Sequence, residues 1–244
     1  MHRLRSIAFS IFFVASIVIT GFFAGPAALF SAKAARSVAK AWSRTILFGA
    51  RIIAGISYRI EGLENIPEHG CIVAANHQSQ WETIALYIHL PNPVIIAKQE
   101  LFDIPVYGWW LRRVGNIPVD RRGGAKALRA LRADAATHIA NGDQIVVFPE
   151  STRARVGENR PFHPGVAGIY TSADASCTPV AHDSGRYWRF PGSLKLPGEI
   201  ILRFLPPIAP GLDRKTFLRE LQNKIASARP DLEPQKIKSE EADD

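Results

Sequence analysis

The chain has 244 residues, 47% of them hydrophobic and 21% charged, which is globular usage and enough length to bury one sizeable core. A formal net charge of +8 suits polyanionic partners: anionic lipid headgroups, nucleic acid or phosphorylated carriers. The two cysteines, Cys71 and Cys177, lack metal-like spacing, so neither a disulfide framework nor a zinc site is indicated, and a reducing compartment fits.

From Ile7 to Phe30 no residue is charged, and the helical stretch before Gly25-Pro26, where the pattern predicts a break, would span roughly 28 Å. That nearly matches a hydrocarbon core. His2, Arg3 and Arg5 with Ala32-Lys33-Ala34 also imitate a signal peptide, but the apolar run exceeds a usual h-region. In the next segment Lys33, Arg36, Lys40, Arg44 and Arg51 fall on one helical arc, opposite Ala35, Val38, Trp42, Ile46 and Ile53. Such a helix can lie on a membrane with its cations at anionic headgroups, or pack on its own domain. Lys and Arg directly after the apolar run favour a cytoplasmic location for everything downstream, at the face of the cytoplasmic membrane. Residues 1–57 therefore read as membrane-anchoring helices.

Beyond residue 58 short apolar runs alternate with helical stretches. Cys71 to Ala75, Val94 to Ala97, Asn116 to Val119, Gln144 to Phe148, Thr178 to Ala181 and Glu199 to Leu205 read as strands, and Trp81 to His89 and Ala125 to Ala140 as helices. The pattern predicts an α/β domain over residues 58–228, with a mixed, largely parallel central sheet flanked by helices. Prolines crowding the last strand region, Pro191 to Pro210, predict edge strands there. Residues 229–244, ending in an acidic run, read as a solvated tail of disorder-like composition.

Three clusters follow strands directly, where α/β sheets hold their sites. Asn76-His77-Gln78-Ser79-Gln80-Trp81-Glu82-Thr83 places a histidine at a strand-to-helix turn and a carboxylate in the first helical turn. A histidine there can take a hydroxyl proton if a carboxylate fixes its tautomer and stabilises the imidazolium. The competing account is a capping box, with Ser79 as N-cap and Glu82 as N3. No G-x-S-x-G elbow occurs, so the nucleophile is sought on the substrate. Asn116 to Arg122 places arginines after a strand, and Phe148-Pro149-Glu150-Ser151-Thr152-Arg153 pairs a carboxylate that can bind a hydroxyl with a guanidinium that can grip phosphate. With Lys98 these combine one base and several phosphate-binding cations behind a hydrophobic anchor, which suits a phosphorylated lipid bearing a free hydroxyl. His182-Asp183-Ser184 has triad letters, but consecutive residues diverge, and the run reads as a surface polar loop. Basic residues gather by the apolar anchor and the loops rather than among stacking aromatics, which argues against nucleic acid.

Together these blocks resemble the 1-acylglycerol-3-phosphate acyltransferases and related glycerolipid acyltransferases. Their first block, Asn-His, four residues, then an acid, is met by Asn76-His77 and Glu82. The second is similar to Ile117-Pro118-Val119-Asp120-Arg121, the third to Phe148 through Arg153, and a proline-centred strand to Cys177-Thr178-Pro179-Val180; the Lys98-Gln99-Glu100-Leu101 run is also similar. The family acid is usually aspartate and the third block usually carries glycine, where this chain has Glu82 and Ser151. A lysine is common at the position of His163.

The resemblance implies that a fatty acyl group moves from an acyl thioester to the free 2-hydroxyl of 1-acylglycerol-3-phosphate. His77 would be the base and Glu82 its partner. Lys98, Arg121 and Arg153 would hold phosphate, with Ser151 and Thr152 in the same loop, while Glu150 orients the glycerol. The donor would be acyl-CoA or acyl carrier protein, with membrane lipids as partners and neither metal nor cofactor. A lyso-ornithine lipid or glycerol-3-phosphate is the alternative acceptor, and a non-catalytic membrane-surface protein the alternative of another class.

Overall fold

The computed structural model describes residues 1–120 and 123–231. Arg121 and residues 232–244 of the expected tail lie outside the described residues.

Helix α1 (His2–Phe30) is long and apolar enough over its first 25 residues to cross a membrane, and Phe22, Phe23, Leu29 and Phe30 are exposed on it. The expected break at Gly25-Pro26 does not occur, because α1 continues through Pro26. A proline removes one intrahelical hydrogen bond, here the one to the Phe22 carbonyl; the carbonyls of the last turn, free at any helix end, find a partner in Arg113, which donates to Ala28 O at 2.6 Å and to Leu29 O at 2.7 Å. The stop is set at Ser31, whose extended backbone ends α1 and whose Oγ accepts from Ala34 N at 3.0 Å, capping α2 (Ala32–Gly49). The two helices return antiparallel, with Trp42 Nε1 donating to Ser16 Oγ and Gly49 against the Phe12 ring. A π-helical turn (Ala50–Ala54) then ends at Gly55, where φ is +73°.

Two of the five cations on the α2 arc are held by the protein itself. Lys40 Nζ donates to Leu90 O and Pro91 O, while Arg36 bonds Val114 O and pairs with Asp143. Lys33, Arg44 and Arg51 remain exposed.

The sheet has seven strands: β1 (Ile56–Glu61), β2 (Cys71–Ala75), β3 (Pro93–Lys98), β4 (Ile117–Val119), β5 (Gln144–Val147), β6 (Cys177–His182) and β7 (Gly198–Phe204), ordered β1-β7-β6-β2-β5-β3-β4. β2 to β6 run parallel; β7 is antiparallel to β6 and β1 parallel to β7. The mixed, largely parallel sheet expected from the strand and helix alternation is thus present. Its last strand, flanked by the prolines, is not an edge, however: β7 is covered by β1, which starts at Ile56 and crosses the expected domain boundary.

Among the described residues, six further α-helices follow: α3 (Trp81–His89), α4 (Gln99–Phe102), α5 (Tyr107–Arg113), α6 (Gly124–Ala140), α7 (Gly165–Ala173) and α8 (Arg214–Ala228). β2 shows why the sheet is sandwiched, since its side chains feed two cores by simple alternation. Cys71, Val73 and Ala75 pack with the N-terminal helices and α3, while Ile72 and Ala74 pack with residues of α6, α7 and α8. Parallel pairing brings the C-terminal ends of β2, β5, β3 and β4 to one edge, so all three sequence clusters emerge on the same side. Lys98 is level with Asn76 in register, two strands away, at about 10 Å.

Candidate active site

The site is built on the turn between β2 and α3. Asn76, the last residue before it, uses its side chain as a substitute peptide: Nδ2 donates to His182 O and Oδ1 accepts from His182 N, both at 3.0 Å, while Asn76 O accepts from His182 Nε2 at 2.6 Å. These bonds extend the β2–β6 pairing past the strand end and fix where the next residue points.

His77 is held by its backbone from the third cluster. Its N–H donates to Glu150 Oε2 at 2.9 Å and its carbonyl accepts from Ala154 N at 2.7 Å. The ring lies 4.3 Å from the Phe148 ring, stacked at 25°, and Nδ1 is 2.7 Å from Glu82 Oε1. A carboxylate acceptor makes Nδ1 the protonated nitrogen, leaving Nε2 as the basic one. Nε2 has no hydrogen-bond partner among the described residues, and the side chain keeps 16% exposure.

Glu82 is fully buried yet well supplied with donors. Oε1 accepts from Gln78 N at 2.9 Å and Ser79 N at 2.8 Å as well as from His77; Oε2 accepts from Ser79 Oγ at 2.7 Å and Ser184 Oγ at 2.8 Å. Burial by itself pushes this carboxyl up. The facing imidazoles of His182 and His77, with hydrogen bonds from His77 and Ser79, outweigh burial and hold Glu82 well below the usual carboxylate range. Glu82 thus makes the bond back to the Ser79 amide that a capping box would make, and the same oxygen also faces the imidazole. Gln80, not Ser79, is the N-cap by backbone position, although Ser79 Oγ does accept from Trp81 N at 3.0 Å. Trp81 is buried and set edge-on against Tyr58 at 5.4 Å, anchoring the first turn of α3 that carries Glu82.

Two expectations are corrected here. His182, Asp183 and Ser184 are buried, not a surface loop. They form no relay in series: His182 holds Asn76 and Ser184 holds Glu82, while Asp183 Oδ1 accepts from Ile201 N at 2.9 Å. Glu150 was expected to face the glycerol, but it is buried against the backbone of His77, with Arg229 Nη1 at 3.9 Å from Oε1. Burial pushes Glu150 up to about 7, against the pull of the His77 N–H and Arg229.

Ser151 takes the left-handed conformation, φ +58°, where glycine is at ease and a side chain is strained. That explains a glycine preference at this turn without any ligand. Thr152 is exposed. Arg153 is half-buried, with its Cζ 4.5 Å from the Phe190 ring centroid and its Nε without a hydrogen-bond partner among the described residues. Lys98, at the end of β3, is exposed on the shared edge. A cavity of about 360 Å³ adjoins the turn, bordered by Ser79, Gln80 and Arg153 and by the apolar Phe9, Phe13 and Val14 of α1. Lys195, also lining it, sits 4.8 Å from the Trp188 ring centroid, and burial brings its ammonium down to about 8. Among the described residues, no group of three or more His, Cys, Asp or Glu side chains converges as a metal site requires.

Sequence reading missed Ser184, His182, Arg229 and Asp231. His182 and Ser184 drew notice only for their triad letters, and nothing local marks Arg229 and Asp231, because each reaches the turn from a distant part of the chain.

The family model described as Acyltransferase matches residues 57–183. A 1-acyl-sn-glycerol-3-phosphate acyltransferase of Pseudomonas aeruginosa is 34% identical over 203 residues, which is 82% of this chain and 79% of that protein. The 1-acyl-sn-glycerol-3-phosphate acyltransferase alpha of Mus musculus is 28% identical over 170 residues, covering 68% of this chain and 60% of that one. The crystal structure of a 1-acyl-sn-glycerophosphate acyltransferase from Thermotoga maritima superposes with a TM-score of 0.77 at 22% identity, over 93% of this chain and 95% of that one, and so shares the fold.

Proposed function

Since this chain belongs to the acyltransferase family, we propose that it acylates the free 2-hydroxyl of 1-acylglycerol-3-phosphate from an acyl thioester, giving phosphatidic acid. The observation that carries the reading is the 2.7 Å contact between His77 Nδ1 and buried Glu82, which leaves Nε2 open on the edge where the phosphate-binding clusters emerge. Names of the relatives from Pseudomonas aeruginosa and Mus musculus support the acceptor.

Nε2 takes the hydroxyl proton as the substrate oxygen attacks the thioester carbonyl carbon. Glu82 keeps the ring in the correct tautomer and stabilises the imidazolium. When the tetrahedral adduct collapses, the carbon–sulfur bond breaks and the imidazolium returns the proton to the departing thiolate. No side-chain hydroxyl bonds Nε2 among the described residues, and Ser79 and Ser184 are both turned toward Glu82, which supports direct transfer without an acyl-enzyme. Arg153, with its unpaired Nε, and the exposed Lys98 hold the phosphate, joined by Arg121; Ser151 and Thr152 shape the same loop. Glu150 holds the His77 backbone in place of the glycerol role first expected. The apolar side of the 360 Å³ cavity accommodates part of an acyl chain. Acyl-CoA or acyl carrier protein serves as donor, and the apolar α1 with its basic flank supports a location of the domain at the cytoplasmic face of a membrane.

The test is thiol release by purified protein with acyl-CoA or acyl carrier protein and a panel of lysolipids. Turnover with 1-acylglycerol-3-phosphate well above that with phosphate-free acceptors is expected; equal rates without the phosphate, or none with any lysolipid, would overturn the proposal.

A further inference from the structure

Among the described residues, the most completely buried cation near the site lies outside the segment that matches the family model. Arg229, one residue past α8, is 1% exposed and forks onto Asp231: Nε to Oδ1 at 3.0 Å and Nη2 to Oδ2 at 2.7 Å. Its Nη1 donates to Glu158 O at 2.9 Å and stands 3.9 Å from Glu150 Oε1. Asp231 Oδ2 accepts further from Gln78 Nε2 at 2.7 Å and Gly157 N at 2.9 Å, and Gln78 Oε1 accepts from Gly185 N at 3.1 Å. Between them, Pro230 O accepts from Arg186 Nη2 at 2.8 Å. A segment assigned from its sequence to a solvated tail thus begins with a buried ion pair inserted beneath the catalytic turn.

We infer that Arg229 and Asp231 are positioning residues for His77, acting by two routes: Arg229 through Glu150 onto the His77 backbone, and Asp231 by holding the side chain of Gln78, the residue after His77. The inference rests on His77 being the base, as proposed above. Neither residue touches the reacting atoms. The effect of each is to restrict where the imidazole can sit, and small displacements of a base cost far more in turnover than in binding.

The groups facing Glu150 come from four places: the His77 N–H, Glu82 of α3, Arg229, and Arg160 of the loop after β5. Arg229 lies within direct ion-pair range of it and favours its ionised form, in which it is the better acceptor for the His77 N–H. Removing the charge at 229 therefore leaves Glu150 protonated to higher pH. A lysine at 229 keeps the charge but cannot fork onto Asp231.

The experiment measures kcat, KM and the pH dependence of kcat for Arg229→Gln, Arg229→Lys and Asp231→Asn, with thermal unfolding of each, beside the parent and His77→Ala. For Arg229→Gln, kcat should fall by about tenfold or more with KM for both substrates little changed, and the rising limb of kcat should move to higher pH by roughly one unit. Arg229→Lys should recover the parental pH profile with only part of kcat. Should Arg229→Gln fail to fold, Asp231→Asn carries the test, since it too should lower kcat several-fold at constant KM. Losses that track only the folded fraction, an unchanged pH profile in Arg229→Gln, or a rise in KM at constant kcat would each overturn the inference. A parent inactive on every lysolipid refutes the acyl-transfer reading instead; an active parent, an inactive His77→Ala and unaltered 229 and 231 variants refute this inference alone.

Discussion

Glu82 is one methylene longer than the aspartate usual in the family's first block, and the structure shows where the extra length goes. The carboxylate reaches back past Ser79 to collect the Gln78 and Ser79 amides, two serine hydroxyls and the imidazole. Glu82→Gln keeps the shape but loses the charge that stabilises the imidazolium, so kcat should fall by about 10²–10⁴-fold; steady-state kinetics at saturating substrate check this. Ser151 gives a second prediction. At φ +58° its side chain costs about 1–2 kcal/mol relative to ordinary backbone, while glycine loses part of that gain to chain entropy. Ser151→Gly should match or slightly exceed the parent in a denaturant melt, whereas Ser151→Val, β-branched, should lose about 1–2 kcal/mol. A destabilised glycine variant would show that the serine side chain contributes more than strain.

The N-terminal helices illustrate how far an element can be read from its sequence. The cationic arc and apolar face of α2 were legible, because a 3.6-residue period is a local signal. What they face was not: Arg36 and Lys40 are engaged with carbonyls 50 residues or more away, and only tertiary structure brings those carbonyls within reach. The α1–α2 contact depends on Gly49, where a Cβ would collide with the Phe12 ring. Gly49→Leu should therefore separate the helices and cost about 1–3 kcal/mol, seen as a lower melting temperature in detergent; an unchanged melt would mean that the helix pair yields freely. β1 was missed for another reason. Ile56, Tyr58 and Ile60 alternate with Ser57, Arg59 and Glu61, a half-buried strand pattern, but the apolar helix immediately before it masks the switch of period. The buried strands β2, β5 and β6 were plain as short apolar runs.

Across the whole molecule, one topological fact converts weak local motifs into a site. Parallel pairing of β2, β5 and β3 puts the ends that carry His77, Glu150 and Lys98 on a single edge, so motif order along the chain already implied convergence. The supporting ring could not be read, since His182, Ser184, Arg229 and Asp231 approach from 100 residues or more downstream and carry no spacing signal. Two buried carboxylates also pull the pH dependence of stability in opposite directions. Glu82, held below its unfolded value, contributes stability that is present above about pH 4.5 and lost as pH falls toward its folded value. Glu150, raised to about 7, binds more protons folded than unfolded between about pH 4.5 and 7, so its contribution declines as pH rises through that window. Glu150→Gln should accordingly gain stability relative to the parent on going from pH 5 to pH 8 in paired denaturant melts; the opposite trend would contradict the assignment.

The most direct measurement is single-turnover acyl transfer from a radiolabelled acyl thioester to 1-acylglycerol-3-phosphate, by the parent and by His77→Ala, with both shown to be folded by circular dichroism and to bind vesicles equally. Labelled phosphatidic acid from the parent, and a rate lower by orders of magnitude from the variant, is the predicted result. Product formation by His77→Ala at a rate near that of the parent would contradict the assignment of Nε2 as the base.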